Sequence, residues 1–138
     1  MSGSKENPVF ATVFVLLYVG HLLADYPFQT DHQAAHKADH SAEGWRANLA
    51  HATTHAAACG PALTVVIAVL DVTVSLPAVL VALVWIGSTH AFIDRRWPVR
   101  WWMNRMRQTS WAEHGGAAHV DQTAHILALA LAALTLAA

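Results

Sequence analysis

Four long apolar stretches constrain the fold of this chain more than any other feature of its sequence. They cover residues 8–24, 49–74, 76–93 and 120–138. A helix crosses the hydrocarbon core of a bilayer with about 20 largely apolar residues, in a range of about 17–25. None of the stretches keeps the polar face that a helix shows to water in a soluble protein. We therefore predict an all-α fold, a four-transmembrane-helix up-down bundle that forms a single integral membrane domain over residues 1–138.

The composition agrees with a membrane protein and excludes several other classes. Charged residues make up 12% of the chain, whereas a typical soluble domain has roughly a quarter. The formal net charge of −1 predicts no nucleic-acid partner. Cys59 is the single cysteine, which rules out an internal disulfide and a Cys-rich zinc module, and we expect it to be a small buried hydrophobe. The lipid bilayer is the expected partner, and small residues in the second and fourth stretches permit a homo-oligomer.

Most of the polar sequence lies in two segments, residues 26–46 and 95–119. Seven of the eight Lys and Arg residues fall in these segments, which an up-down bundle places on the same side. The positive-inside rule makes that side cytoplasmic. We predict a multi-pass protein of the cytoplasmic (inner) membrane, with both termini outside and no signal peptide. The second segment alternates Arg with Trp, which is typical of an interfacial segment between helices 3 and 4.

Each apolar stretch carries a pair of His or Asp residues spaced i, i+4 at its cytoplasmic end. This spacing places both side chains of a pair on one helix face, one turn apart. An Asp at a helix C-terminus is disfavoured by the helix dipole, so capping explains only some of the pairs. In an up-down bundle all four pairs lie at one depth. The pairs are His21 with Asp25, His51 with His55, His90 with Asp94, and Asp121 with His125.

Imidazoles and carboxylates that converge in this way predict a site for one or two divalent metal ions. The donor set suits zinc, iron, manganese or nickel, and the absence of thiolates argues against copper(I). Eight candidates exceed the four ligands of one zinc, so we favour a di-metal centre with a bridging carboxylate, or further residues that orient the ligands. A hydrogen-bonded polar core is the alternative. Haem ligated by two histidines is another, but it leaves the aspartates without a role.

The remaining histidines carry a weaker signal. His32, His36 and His40 are spaced i, i+4, i+8 and predict a stripe along a short helix outside the membrane. Such a stripe is usually solvated, although it could serve as an entry site for metal or a pH-sensitive face. His114 and His119 flank Gly115 and Gly116, and we predict that both lie in a loop.

The ordered motifs HLLADYPFQTD, then Lys37, HATTH, HAFID and DQTAH resemble an uncharacterised bacterial integral-membrane family, domain of unknown function 3307. The resemblance runs from Gly20 to His125. This chain has His32 where the family often has an aromatic residue, and Arg95-Arg96 where a basic residue follows HxxxD. The resemblance supports treating the four pairs as one site and implies no activity.

A metal just inside the cytoplasmic headgroup layer is placed to act on an amphiphile. It would polarise a phosphoryl or acyl oxygen and activate a bound water. The leading hypothesis is a membrane-embedded metal-dependent hydrolase of a lipid or lipid-linked phosphate. In it Lys37, Arg95 and Arg96 hold an anionic headgroup, and Gln29 and Gln122 bond the ligand carboxylates or the substrate. The alternatives are a metal or proton transporter, a metal-handling protein, or a structural metal in a larger membrane complex.

Overall fold

The computed structural model describes residues 8–69 and 73–138, and within these ranges the chain is helical with no β-strand. The predicted all-α bundle is confirmed. Thr30 begins the second helix with a capping box, because its hydroxyl accepts from the Gln33 amide N–H and the Gln33 side chain accepts from the Thr30 N–H. The elements are α1 (Pro8–Asp25), α2 (Asp31–His36), α3 (Ala42–Val69), α4 (Leu76–Ile93), α5 (Trp97–Arg105), α6 (Thr109–Trp111), a π-helical turn (Ala112–Gly116) and α7 (Ala117–Ala137).

Three helical stretches are long and apolar enough to cross a membrane: Ala42–Val69, Leu76–Ile93 and Thr109–Ala137. The first helix is also apolar but shorter, with its apolar part at Val9–Asp25. Many large hydrophobic side chains on these helices point outward, among them Val15, Val84 and Leu131. Exposed apolar surface of this extent is unfavourable in water and favourable against lipid. The helices therefore indicate a membrane protein.

The four long helices pack in a closed ring, in which α1 and α4 each contact both α3 and α7. Neighbours run antiparallel, as an up-down bundle requires. Cys59 on α3 lies beside Leu17 on α1, whereas His55, one turn earlier on α3, lies beside Asp25 at the end of α1. The indole N–H of Trp85 on α4 donates to the carbonyl of Ala128 on α7.

The apolar core fills the half of the bundle that lies away from the His and Asp pairs. Its buried members come from all four long helices and include Leu17, Leu63, Ile86 and Leu129. Cys59 is fully buried in this core, with its Sγ 3.8 Å from the Leu17 carbonyl oxygen. It behaves as the small buried hydrophobe that the sequence predicted. Polar groups are thus concentrated at one end of the bundle.

A smaller apolar cluster holds α5 against the ends of α4 and α7. Val99 and Met103, spaced i, i+4 on α5, are buried against Ile93 of α4. Partly buried Val120 and Ala124 of α7 complete the contact. The segment between α4 and α7 therefore lies across the same end of the bundle as the His and Asp pairs.

Some sequence predictions need correction at the helix boundaries. The histidine stripe holds for His32 and His36 only, because α2 ends at His36 and His40 follows it in an exposed turn. His119 lies on α7 and not in a loop, since α7 begins at Ala117 directly after Gly116. His114 does lie in irregular backbone, beside Gly115 at φ 97°. The second apolar stretch was predicted to end at residue 74, and residues 70–72 lie outside the described part of the chain.

The loop between α2 and α3 packs so closely on α3 that it requires a glycine at position 44. A Cβ on Gly44 would lie 2.8 Å from the Asp39 carbonyl carbon, and the obstacle is backbone. We expect Gly44→Ala to lower the free energy of unfolding by about 1–3 kcal/mol, the usual cost of overpacking. Thermal melting of the protein in detergent measures this loss.

Gly60 provides the matched control, because a Cβ there meets nothing within 4 Å. Gly60→Ala should leave the melting temperature unchanged or raise it, since glycine inside a helix is less favourable than alanine by about 0.5–1 kcal/mol. Equal melting temperatures for the two variants would show that the loop can move away from α3 at no cost.

Candidate metal centre

Five histidines from the four long helices meet in the buried interior at one end of the bundle. Each is at most 3% exposed, and the carboxylates of Asp25 and Asp94 are nearly as deeply buried. Asp121 is the most open member, with 25% of its side chain exposed. The i, i+4 pairs thus face one another across the bundle. The histidines are His21, His51, His55, His90 and His125.

The first group of candidate ligands surrounds one carboxylate oxygen. Oδ1 of Asp25 lies 3.1 Å from Nε2 of His55, 3.3 Å from Nε2 of His51 and 3.8 Å from Nε2 of His90. The Nε2 atoms of His51 and His55 are 3.3 Å apart. An ion about 2.1 Å from each donor in a tetrahedral site separates the donors by roughly 3.4 Å. These four distances are close to this value, and all four ligand atoms lie within 4.8 Å of one another, so the group could hold one ion.

The second group shares His90 with the first. Its Nε2 lies 3.1 Å from Oδ2 of Asp94, and Nε2 of His125 lies 3.6 Å from Oδ1 of the same carboxylate. His125 is also 3.5 Å from Oδ2 of Asp121. One imidazole nitrogen binds one ion, so His90 can be a ligand in only one of the two groups. A second ion would then need another ligand, for example a carboxylate that bridges both ions. This geometry permits either of the predicted nuclearities.

The buried carboxylates and imidazoles of the cluster suit a bound cation. Nε2 of His90 belongs to both groups, 3.1 Å from Oδ2 of Asp94 and 3.8 Å from Oδ1 of Asp25. Buried carboxylates are normally paired with cations or metal ions, because burying an unpaired charge is costly. The nitrogen and oxygen donors suit a divalent metal.

The packing of the rings leaves no room for haem inside the cluster. The rings of His55 and His90 stack with centroids 3.4 Å apart, and those of His90 and His125 stack at 4.1 Å. A porphyrin held by two of these imidazoles would have to lie between them. The donor set is therefore better matched to metal ions than to a macrocycle.

His21 and Gln122 position Asp25 from the other side. Nε2 of His21 lies 3.1 Å from Oδ2 of Asp25 and 3.2 Å from Oε1 of Gln122. The Gln122 amide donates to the same Asp25 oxygen at 3.2 Å. The Gln29 amide donates to the backbone carbonyl of Asp25 at 2.9 Å and thereby satisfies a carbonyl at the end of α1. A contact of Gln29 with a substrate stays a prediction.

Lys37 reaches into the cluster from its open side. Its Nζ is 3.1 Å from Oδ2 of Asp94 and 3.2 Å from Nε2 of His51, and the side chain is 14% exposed. Lys37 directly follows α2, so the short capped helix sets the position of this ammonium group. The sequence had placed Lys37 among headgroup ligands. The structure also gives it a carboxylate partner within the candidate metal centre.

Arg95 contacts the α2–α3 loop and does not face a headgroup, contrary to the sequence prediction. It is 4% exposed, and its guanidinium donates to the backbone carbonyls of Lys37 at 3.0 Å and Asp39 at 2.7 Å. The same group lies 4.2 Å from the centroid of the Trp45 ring. A buried guanidinium needs such partners. Arg95 therefore joins the end of α4 to the loop that carries Lys37.

Two polar openings reach the cluster. The larger has a volume of about 410 Å³ and is lined by Lys37, Asp94 and Asp121 together with Arg96 and Arg100. The smaller, of about 130 Å³, is lined by residues that include Asp25, Gln29 and Gln122. Arg96 was predicted from the sequence to bind a headgroup, whereas Arg100 was not, although Arg100 follows it by four residues and the spacing of a helical turn could have indicated it.

A second, exposed group of His and Glu residues that could hold a metal ion lies on α2 and the first turn of α3. Nε2 of His32 is 3.8 Å from Oε1 of Glu43, and the rings of His32 and His36 are 4.8 Å apart. Nδ1 of His36 is 2.8 Å from Oδ2 of Asp39, a contact that would direct its other nitrogen outward. Both side chains of the His32–Glu43 pair are more than half exposed. This group is separate from the buried cluster.

Fold and site together define a class: an all-helical membrane protein with buried His and Asp groups that could hold a metal ion at one end of its bundle. Residues 13–138 match the family described as "Protein of unknown function (DUF3307)", and the chain belongs to that family. This confirms the resemblance drawn from the sequence motifs. No curated protein and no solved structure matches the chain.

Proposed function

We propose that this protein is a membrane-embedded metal-dependent hydrolase of a lipid or lipid-linked phosphate at the cytoplasmic leaflet. One observation carries the proposal. The 410 Å³ cavity brings two carboxylates of the buried cluster, Asp94 and Asp121, together with the cations Lys37, Arg96 and Arg100. A phosphate group held by the arginines would lie beside the metal ligands. The predicted orientation places this opening on the cytoplasmic side.

The chain supplies distinct groups for binding and for proton transfer. Asp25, His51 and His55 would hold an ion away from solvent, whereas Asp94 and His125 would hold one next to the cavity. A bound divalent metal would polarise the phosphoryl oxygen and lower the pKa of a water molecule. Asp121 is the most open carboxylate and lines the cavity, where it would accept a proton from a water molecule.

A transport function is less well supported. A transporter needs polar groups that continue across the membrane. In the described part of the chain, the bundle beyond His21 and His55 is closed by the apolar core around Leu17, Cys59 and Leu63. The site therefore opens to one side. A structural metal is the second candidate, because the four donors of the first group are all buried and can saturate one zinc ion.

The test is phosphate release by the purified protein in lipid nanodiscs, with zinc, manganese or iron supplied in turn. The substrates are a phosphatidic acid and an isoprenyl monophosphate. We expect release that requires one of the metals and that falls at least about 100-fold in Asp94→Asn, the scale of lost electrostatic stabilisation in an active site. Asp31→Asn, at an exposed position on α2, should leave release unchanged.

No release with any of these metals, or equal release by Asp94→Asn and the wild type, would contradict the hydrolase proposal. Stoichiometric metal binding without release would then favour the structural role. Metal content measured on the same samples separates these outcomes.

A further inference from the structure

Helix α5 and Arg96, the residue before it, border three different surroundings. Arg96, which precedes the helix, and Arg100 line the polar cavity, whereas Trp97 and Trp101 line a separate apolar groove. Val99 belongs to the buried face that anchors α5 to the bundle. The helix therefore separates a cationic surface from an aromatic surface while it remains fixed to α4 and α7.

The apolar groove has a volume of about 640 Å³ and lies between α5 and the adjoining parts of α4 and α7. Three Trp rings line it, together with Phe92 and Leu127. Val99 lines both the groove and the polar cavity, so the two spaces adjoin at this side chain. Aromatic side chains at a membrane interface commonly contact lipid at headgroup depth.

The backbone at Arg96 is strained. Its φ of 61° lies in the left-handed region, which a residue with a Cβ adopts only at a cost. Such a conformation persists where the surrounding structure enforces it, often at a functional site. Arg96 stands where the chain turns from α4 into α5, and its side chain lines the cavity beside Asp94. Glycine would fit this backbone without strain, yet the chain has arginine.

We infer that the polar cavity and the apolar groove bind one anionic phospholipid, with its phosphate on Arg96 and Arg100 and an acyl chain along Trp97 and Trp101. The charges are complementary, because Asp94 already has Lys37 and His90 as partners and Asp121 has His125, which leaves the two arginines to face an anion. The cavity and the groove adjoin at Val99, so a headgroup in one lies next to an acyl chain in the other. This inference deepens the proposed function, on which it rests for the chemistry at the phosphate.

The binding test uses the full chain in detergent with a chelator present, so that neither metal nor turnover enters the result. Native mass spectrometry measures the affinity for a long-chain phosphatidic acid against a phosphatidylcholine of the same chains. We expect Arg96→Gly to weaken phosphatidic acid binding about tenfold or more, because a charge-assisted contact is lost. The same variant should melt at the wild-type temperature or above it, since glycine relieves the strain.

Arg107→Gly is the matched control. Arg107 also has a left-handed backbone, at φ 58°, but it does not line either space. It should gain the same relief of strain and bind phosphatidic acid like the wild type. Equal affinity of the wild type and Arg96→Gly would overturn the inference, as would equal weakening in both glycine variants.

The groove is tested with Trp101→Ala against Trp111→Ala, two half-exposed Trp residues of which only Trp101 lines the groove. Trp101→Ala should weaken the binding of phosphatidic acid about fivefold, because tens of Å² of apolar contact are lost. Inorganic phosphate is the second probe, and it should compete far more weakly than the lipid. Competition as strong as that of the lipid would show a headgroup-only site and overturn the role of the groove.

The binding and activity experiments distinguish failure of this inference from failure of the proposed function. Selective lipid binding that depends on Arg96, without phosphate release, would leave the inference standing and remove the hydrolase proposal. If Arg96→Gly releases phosphate from lipids like the wild type and lipid binding is unselective, the hydrolase proposal would stand and the inference would be removed.

Discussion

Replacing His90 with alanine should remove metal from both candidate groups. His90 is the one residue common to them, and its Nε2 lies between Asp25 and Asp94. We expect metal affinity to fall by more than about 100-fold, because even the loss of a residue that only orients a ligand costs about 10–100-fold. Elemental analysis of purified protein, combined with titration by a competing chelator, measures the change.

Two further variants make this result specific. His90→Gln keeps a side chain of similar size in the buried site, so its loss of metal cannot come from a cavity alone. His32→Ala removes a residue of the exposed group near Glu43 and should leave the tightly bound metal in place. Retention of metal by both His90 variants would show that His90 is not a metal ligand, and a wild type that binds no metal would show that the buried cluster is a hydrogen-bonded polar core.

Replacing Arg95 with methionine should destabilise the protein, because it removes the link between α4 and the α2–α3 loop. Methionine keeps much of the apolar stem but leaves the carbonyls of Lys37 and Asp39 without their donor. We expect the free energy of unfolding to fall by about 3 kcal/mol, from two charged hydrogen bonds and a cation–π contact. Denaturant titration in detergent measures this loss.

Limited proteolysis provides an independent measurement of the same link. Trypsin should cleave after Lys37 faster in Arg95→Met, since the loop is released from α4 and local opening exposes its backbone. Arg105→Met, at an exposed position on α5, should stay within about 0.5 kcal/mol of the wild type and leave cleavage at Lys37 unchanged. If Arg95→Met is as stable as the wild type but loses lipid binding, the headgroup role that the sequence suggested for Arg95 would replace the structural one.

The local pattern was enough to predict which residues form the buried cluster. His21 and Asp25 lie on one helix face because an α-helix repeats every 3.6 residues, and the same holds for the pair at His90 and Asp94. The up-down order then places the four pairs at one end. The structure brings all eight of these residues together, and a metal among them stays a prediction.

The errors fall on contacts between distant parts of the chain. Arg95 and Arg96 are neighbours in a basic run, and their sequence does not distinguish a buried guanidinium from one that lines a cavity. The difference arises because the chain turns at Arg96, where φ is positive, so that the two side chains point to different surroundings. The contact of Lys37 with Asp94 also joins residues far apart in the chain, so the sequence could not indicate it.

By itself, then, the sequence determined the helices, their antiparallel order, and the level at which His and Asp side chains meet, because these follow from periodicity and from the cost of burying backbone polar groups in lipid. Only the tertiary structure decided which oxygen of Asp25 faces three imidazoles, that Arg95 binds the α2–α3 loop, and that the cavity and the groove adjoin at Val99. Those features depend on how side chains from different helices pack against one another, and helical spacing alone carries no information about that packing.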